Sequence, residues 1–162
     1  MKRRAVISMG VAAIAAACSR YETYRGPEVT RIQVMKSMRK MYLLHDTEVL
    51  KAYDVGLGFA PVGHKQFEGD GKTPEGAYRI DRRNPNSQFY LSIGISYPNA
   101  ADRAYAEEHH RSPGGDIFIH GKPDKYSRAP WDWTAGCIAV SDKEMEEIYS
   151  MVGLGTPIYI YA

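Results

Sequence analysis

Residues 29–58 read VTRIQVMKSMRKMYLLHDTEVLKAYDVGLG. Ile32 and Val34 alternate with polar neighbours, which is the period of a half-buried strand. Lys40 to Leu44 and Glu48 to Val55 flank His45-Asp46-Thr47, so this pair reads as a hairpin. Gly56 and Gly58 end it. The stretch predicts a domain built on strands.

The same reading extends along the chain. Gly69 to Gly76 is a Gly/Pro-rich loop, and Tyr78 to Asp81 and Phe89 to Ser96 are two further strand candidates. Ser96-Tyr97-Pro98-Asn99 is a turn, Ala100 to His110 has helical composition, and Asp116 to His120 is a short apolar run suited to a buried strand. Ser141-Asp142-Lys143-Glu144 is a capping box: the Ser141 hydroxyl takes a first-turn N–H and Glu144 reaches back. Its helix should run to about Met151 and stop at Gly153, and Thr156 to Tyr161 reads as the last strand. The expected fold class is mainly β, mixed β with two short helices, in one domain.

Composition agrees. The chain has 162 residues, 44% hydrophobic and 25% charged, which suits one globular domain plus a leader. Twelve tyrosines favour strands over a helical bundle. The formal net charge is +2; setting aside Lys2, Arg3 and Arg4 leaves 18 basic against 19 acidic residues. That balance gives no electrostatic case for nucleic-acid binding.

Lys2-Arg3-Arg4 followed by the small apolar run Ala5 to Ala17 is the pattern of a secretory signal, too short to span a bilayer. Ile14-Ala15-Ala16-Ala17-Cys18 resembles a bacterial lipobox, with Ala15 where leucine is usual. The resemblance implies acylation of Cys18, giving a lipid anchor on the periplasmic face of a membrane, with the outer membrane favoured by Ser19. An ordinary signal cleaved near Ala17 is the alternative. Residues 1–18 are then leader, 19–28 a polar tether containing Gly26-Pro27, and 29–162 the domain. Cys18 and Cys137 permit one disulfide, but each has an assignment of its own.

The chemistry gathers near Ile119-His120-Gly121 and Trp131-Asp132-Trp133-Thr134-Ala135-Gly136-Cys137-Ile138. A thiol becomes a useful nucleophile when an imidazole lowers its pKa. His120 ends a predicted strand, so its ring would be rigidly aimed at Cys137 across a strand pair. Gly136 lets backbone approach a substrate, and the N–H groups of Gly136 and Cys137 are candidates to stabilise an oxyanion. Against this, a lone cysteine is usually a small buried hydrophobe and a lone histidine a satisfied polar residue.

The order His120-Gly121, then Thr134-Ala135-Gly136-Cys137, resembles the L,D-transpeptidase catalytic domain, also called the YkuD domain. Gly69-Asp70-Gly71-Lys72-Thr73-Pro74-Glu75-Gly76, Ile95-Ser96-Tyr97-Pro98-Asn99 and Pro113-Gly114-Gly115-Asp116-Ile117 resemble the same family, so the likeness spans Val29 to Ala162. It implies an L,D-transpeptidase-like β-sandwich in which Cys137 is the nucleophile, His120 the base and the Gly121 carbonyl its orienting acceptor. It implies peptidoglycan stem peptides as donors, a D-amino acid or amine as acceptor, and no cofactor. Lys72, Glu68, Thr134 and Trp133 are candidate substrate contacts; for Lys72 and Glu68 the alternative is a turn with solvated charges, and for Trp131 and Trp133 it is core packing. The chain has Ala135 where many members have histidine and Ala139 where many have arginine. These departures bear on substrate choice and suggest a subgroup that departs from standard crosslinking.

Two other motifs fall away. Gly71-Lys72-Thr73 is no phosphate loop, because Gln66 stands where that motif needs glycine. Glu107-Glu108-His109-His110 lacks the one-face histidine pair of zinc peptidases, so no metal is expected. Three functions remain: an L,D-transpeptidase, a hydrolase using the same site (an L,D-endopeptidase, a carboxypeptidase or an enzyme releasing wall-bound proteins), and a non-catalytic peptidoglycan-binding lipoprotein.

Overall fold

The computed structural model describes residues 23–162; the leader, Cys18 and the expected lipidation lie outside the described residues. Strands β1 (Arg31–Met35), β2 (Lys40–His45) and β3 (Glu48–Asp54) form an antiparallel meander. Alternation drives it: Ile32, Val34, Met41 and Leu43 are fully buried on one face. Asp46, at φ 50, makes the turn between β2 and β3.

The other strands are β4 (Gly76–Ser87), β5 (Tyr90–Ile95), β6 (Phe118–His120), β7 (Ile138–Ala139) and β8 (Pro157–Tyr161). The sheet order is β3-β2-β1-β8-β4-β5-β6-β7. β8 runs parallel to β1 and antiparallel to β4. β4 serves both halves of the sheet: Gly76 to Arg79 pair with β8, and Ile80 to Ser87 pair with β5 through irregular register. Such breaks bend a strand and raise its twist. The two ends of the sheet then meet, because Gly56 and Ala139 exchange backbone hydrogen bonds of 2.9 and 2.8 Å. One sheet thus closes over one core, which confirms the mainly β expectation.

Two helices complete the fold. α1 (Ala100–Glu108) starts at a capping box made by Asn99 and Asp102, and α2 (Asp142–Met151) at the expected box of Ser141 and Glu144. α2 buries Met145 and Ile148 in the core. Sequence reading ended β4 at Asp81. The strand continues through polar, Pro-containing residues because β5 offers it backbone partners, while its side chains stay exposed.

Buried charge fixes the connection from β3 to β4. Lys36 is 2% exposed, and its Nζ donates to Gly63 O (2.6 Å), Thr73 O (2.9 Å) and the Glu75 carboxylate (2.8 Å). His64 adds a second tie, with Nε2 donating to Asp102 and Nδ1 accepting the Glu75 N–H. Buried ammonium and carboxylate groups persist only when satisfied in this way.

Closure of the sheet demands a missing side chain at Gly56, where a Cβ would lie 2.3 Å from the Trp131 carbonyl oxygen. Gly153 has nothing within 4 Å of the equivalent position. Gly56→Ala should lower the urea midpoint markedly, whereas Gly153→Ala should leave it unchanged or raise stability by about 0.5 kcal/mol. Equal midpoints for the two variants would refute this account of the closure.

Candidate active site

β6 and β7 are parallel neighbours, with Ile119 opposite Ile138 and His120 opposite Ala139. Residues two apart on a strand share a face. Cys137, two before Ala139, therefore shares a face with Phe118 and His120. The sheet brings the predicted histidine and cysteine onto adjacent strands, a diagonal step apart.

His120 is 2% exposed, and its Nδ1 lies 2.6 Å from the Gly121 carbonyl oxygen. A carbonyl only accepts, so Nδ1 carries the proton and Nε2 is the basic nitrogen of the neutral ring. Phe89 stacks on the imidazole at 4.5 Å between centroids, and Trp133 meets it edge-on at 5.7 Å. Tyr126 stacks on Trp133 at 4.6 Å. Burial pushes the imidazole below its ordinary pKa, opposed by the Gly121 carbonyl.

The Cys137 thiol donates to the Asp116 carbonyl (3.5 Å), and its sulfur accepts the Phe118 N–H (3.4 Å). Burial pushes the thiol pKa up; the Phe118 N–H and the Lys65 ammonium pull it down, and Asp116 adds to the rise. The expected lowering by an imidazole is absent from this resting arrangement. Burial thus disfavours the charged form of both groups, and the thiol faces the Asp116 carbonyl.

The turn that presents Cys137 is held by Thr134. Its hydroxyl donates to the Cys137 carbonyl (2.7 Å) and accepts the Gly136 N–H (3.1 Å). Thr134 is 5% exposed, and its hydroxyl closes the turn. The Gly136 N–H donates to that hydroxyl in this arrangement. Gly136 itself is essential to the path: its φ is +132, and a Cβ would lie 2.6 Å from the Lys72 carbonyl oxygen.

That carbonyl belongs to the 63–76 loop, so Lys72 meets the Cys137 turn through its backbone. Its Nζ lies over Gly63. Glu68 is exposed and packs against Gly114, its N–H bonded to the Ser112 carbonyl. The loop is shaped by Asp70, which accepts the N–H groups of Gln66, Phe67 and Lys72 and the Lys65 ammonium. Sequence reading missed Lys65, which is 2% exposed and acts on the thiol. Its signal in the sequence is an ordinary surface-type lysine. Asp132 is paired by Arg39 and also caps the Leu57 N–H. Trp131 is exposed with its indole N–H on Val55 O, so of the two tryptophans it is Trp133 that packs against the histidine.

Ala139 and Trp133 also border a cavity of about 320 Å³, completed by Lys122, Trp131 and Glu144 among others. The longer side chain that many members of the resembled family carry at position 139 would project from this wall.

The L,D-transpeptidase catalytic domain (YkuD) family matches residues 29–160. YafK of Escherichia coli, provisionally named an L,D-transpeptidase, is 34% identical over 127 residues, covering 77% of this chain and 44% of the relative. Among solved structures, the helical cell shape determining protein Pgp2 from Campylobacter jejuni has a TM-score of 0.65 at 26% identity, covering 85% of this chain and 49% of that one. Bd1075 of Bdellovibrio bacteriovorus has a TM-score of 0.60 at 26% identity, covering 83% and 48%. The chain spans about half the length of these relatives.

Two measurements test the electrostatics. Alkylation of Cys137 by iodoacetamide should keep accelerating above the ordinary thiol pKa of about 8.5; a rate plateau reached below pH 6 would reveal a thiolate–imidazolium pair instead. For Asp70, burial acts to raise the pKa, but the three N–H donors and Lys65 outweigh it and hold it at about 2. Its folded pKa is depressed, so its stabilisation is present above about pH 4 and is lost as pH falls toward 2; it amounts to about 2 kcal/mol. The stability gap between wild type and Asp70→Asn should therefore narrow from pH 5 to pH 2, and a gap constant across that range would contradict the assignment.

Proposed function

The chain belongs to the L,D-transpeptidase catalytic domain family, and from that premise we propose that it cleaves the L,D peptide bond of peptidoglycan stem peptides through a Cys137 acyl-enzyme. The observation that carries the reading is the fixed imidazole. His120 is buried, its Nδ1 proton is committed to Gly121, and its basic Nε2 belongs to the strand beside Cys137.

In this reading substrate binding turns the thiol from the Asp116 carbonyl toward His120. Nε2 takes the thiol proton as sulfur attacks the carbonyl carbon of the scissile bond. The Cys137 N–H is the backbone donor for the developing oxyanion, since Thr134 already takes that of Gly136. The tetrahedral intermediate collapses with loss of the amine, which receives the proton from His120 and leaves a thioester on Cys137. An amine, a D-amino acid or water then attacks the thioester, giving up its proton to His120 and freeing the thiol. The Phe89 and Trp133 rings pack against the imidazole, with Tyr126 stacked on Trp133.

A second reading is hydrolysis by the same site. Ala135 and Ala139 stand where the resembled family commonly has histidine and arginine, and a cavity borders Ala139 and Trp133. Endopeptidase, carboxypeptidase or wall-protein-releasing activity would follow if water is the usual acceptor. The likeness to Pgp2, a helical cell shape determining protein, supports wall remodelling as the broader role. We extend the proposal to the leader: export, with Cys18 acylated to hold the domain at the periplasmic face of a membrane, the outer one favoured.

The test is incubation with purified disaccharide–tetrapeptide and a D-amino acid, beside Cys137→Ala, read by mass spectrometry. An adduct on Cys137 with exchanged or crosslinked product, absent in the variant, is the expected result. Water-derived product alone would select the hydrolytic reading, and neither adduct nor product would point to a non-catalytic binding lipoprotein.

A further inference from the structure

The Gly121–Lys122 peptide group lies between two ionisable side chains. On one side its carbonyl accepts from His120 Nδ1 at 2.6 Å. On the other lies the Asp142 carboxylate, whose pKa burial pushes up while the Lys122 N–H works the other way, favouring its charged form. Asp142 is the first residue of α2, and the bond from Val140 N–H to His120 O (3.0 Å) ties the approach to that helix against β6. Asp142 Oδ1 is buried with no hydrogen-bond partner among the described residues. A Cβ on Gly121 would lie 2.3 Å from it. Glycine at 121 is therefore what lets the carboxylate approach this peptide.

An anion facing a peptide N–H polarises the group and makes its carbonyl a stronger acceptor. A stronger acceptor on Nδ1 favours the imidazolium form. Burial works in the opposite direction at His120, since it disfavours the charged ring. We infer that Asp142 is a positioning residue for His120: acting through the Gly121–Lys122 peptide, it fixes the ring's tautomer and strengthens Nε2 as the acceptor of the thiol proton. The inference deepens the acyl-transfer reading and rests on His120 being its base.

The surrounding charges are accounted for. Burial above all, and then Asp124 and Glu146, raise the proton affinity of Asp142, and Glu146 is itself bonded by the Tyr90 hydroxyl. The Lys122 ammonium turns away to the Ala129 carbonyl (3.3 Å). On its other sides His120 meets Phe89 and Trp133, with Tyr126 beyond them and Cys137 on the adjacent strand. The bland role for Asp142 is that of an acid in the first turn of a helix, which affects stability alone.

The test follows the His120 ring nitrogens by NMR in the ¹⁵N-labelled full-length chain in detergent, titrated beside Asp142→Asn, Asp142→Ser and Glu146→Gln. Asp142→Asn should weaken proton binding at His120 roughly threefold, with Glu146→Gln leaving it unchanged. The acid limb of kcat/KM on disaccharide–tetrapeptide should move to lower pH in step. If Asp142→Asn does not fold, Asp142→Ser supplies the same comparison without the charge. An unshifted His120 titration in a folded Asp142 variant overturns the inference, and so does an equal shift in Glu146→Gln, which would mean a diffuse field. Wild-type protein that titrates as expected yet forms no acyl-enzyme overturns the acyl-transfer reading separately.

Discussion

The backbone at Gly136 passes so close to the Lys72 carbonyl that no side chain fits between them, and the placement of Cys137 depends on that contact. Gly58 and Gly71 continue the same close approach: a Cβ on Gly58 would lie 2.1 Å from Gly71 O and 3.1 Å from Gly136 Cα. Three segments distant in sequence therefore touch through bare backbone. The 63–76 loop can supply this surface only because it is held from beneath. Lys36 grips it at Gly63, Thr73 and Glu75, Asp70 gathers its amides, and the Thr73 hydroxyl accepts the Gly58 N–H. Removing one partner from such a buried network leaves an uncompensated charge, which is costly. Stability and site geometry are here the same interactions.

Much of this was legible in the sequence. Alternation at Ile32 and Val34, the turn after β2 and the Ser141–Glu144 box each rest on local rules, and local rules suffice where a segment's own pattern sets its structure. The mainly β class followed from them, and the family likeness from the spacing of ordered motifs. What was not legible depends on partners far along the chain. Lys36, Lys65 and Asp102 carry no local sign of burial, yet each is buried because oxygens or donors from other segments meet it. The polar half of β4 has no apolar period, since it is a strand through pairing alone. Thr134 looked like a substrate contact because it sits beside the nucleophile. Only the folded turn shows that its hydroxyl closes on Cys137 and Gly136.

Burial disfavours charge on both the Cys137 thiol and the His120 imidazole. The thiol donates to the Asp116 carbonyl, and the Gly121 carbonyl fixes the tautomer of the ring. Such a pair avoids the cost of two uncompensated charges in a low-dielectric setting. It also leaves the sulfur less open to oxidation than a resting thiolate would be.

The central place of β8 bears on when the protein can fold. β8 is the strand that joins the early β1–β3 meander to the later β4–β7 half, pairing Ile32 with Ile158 and Tyr78 with the same residue. Contacts of such long sequence separation form slowly, because loop closure precedes the gain from pairing. On a ribosome, the meander would stay an incomplete sheet with an open edge until residues 157–161 emerged. The native topology is out of reach until those residues are available, so the β1 edge stays unpaired while the meander exists alone.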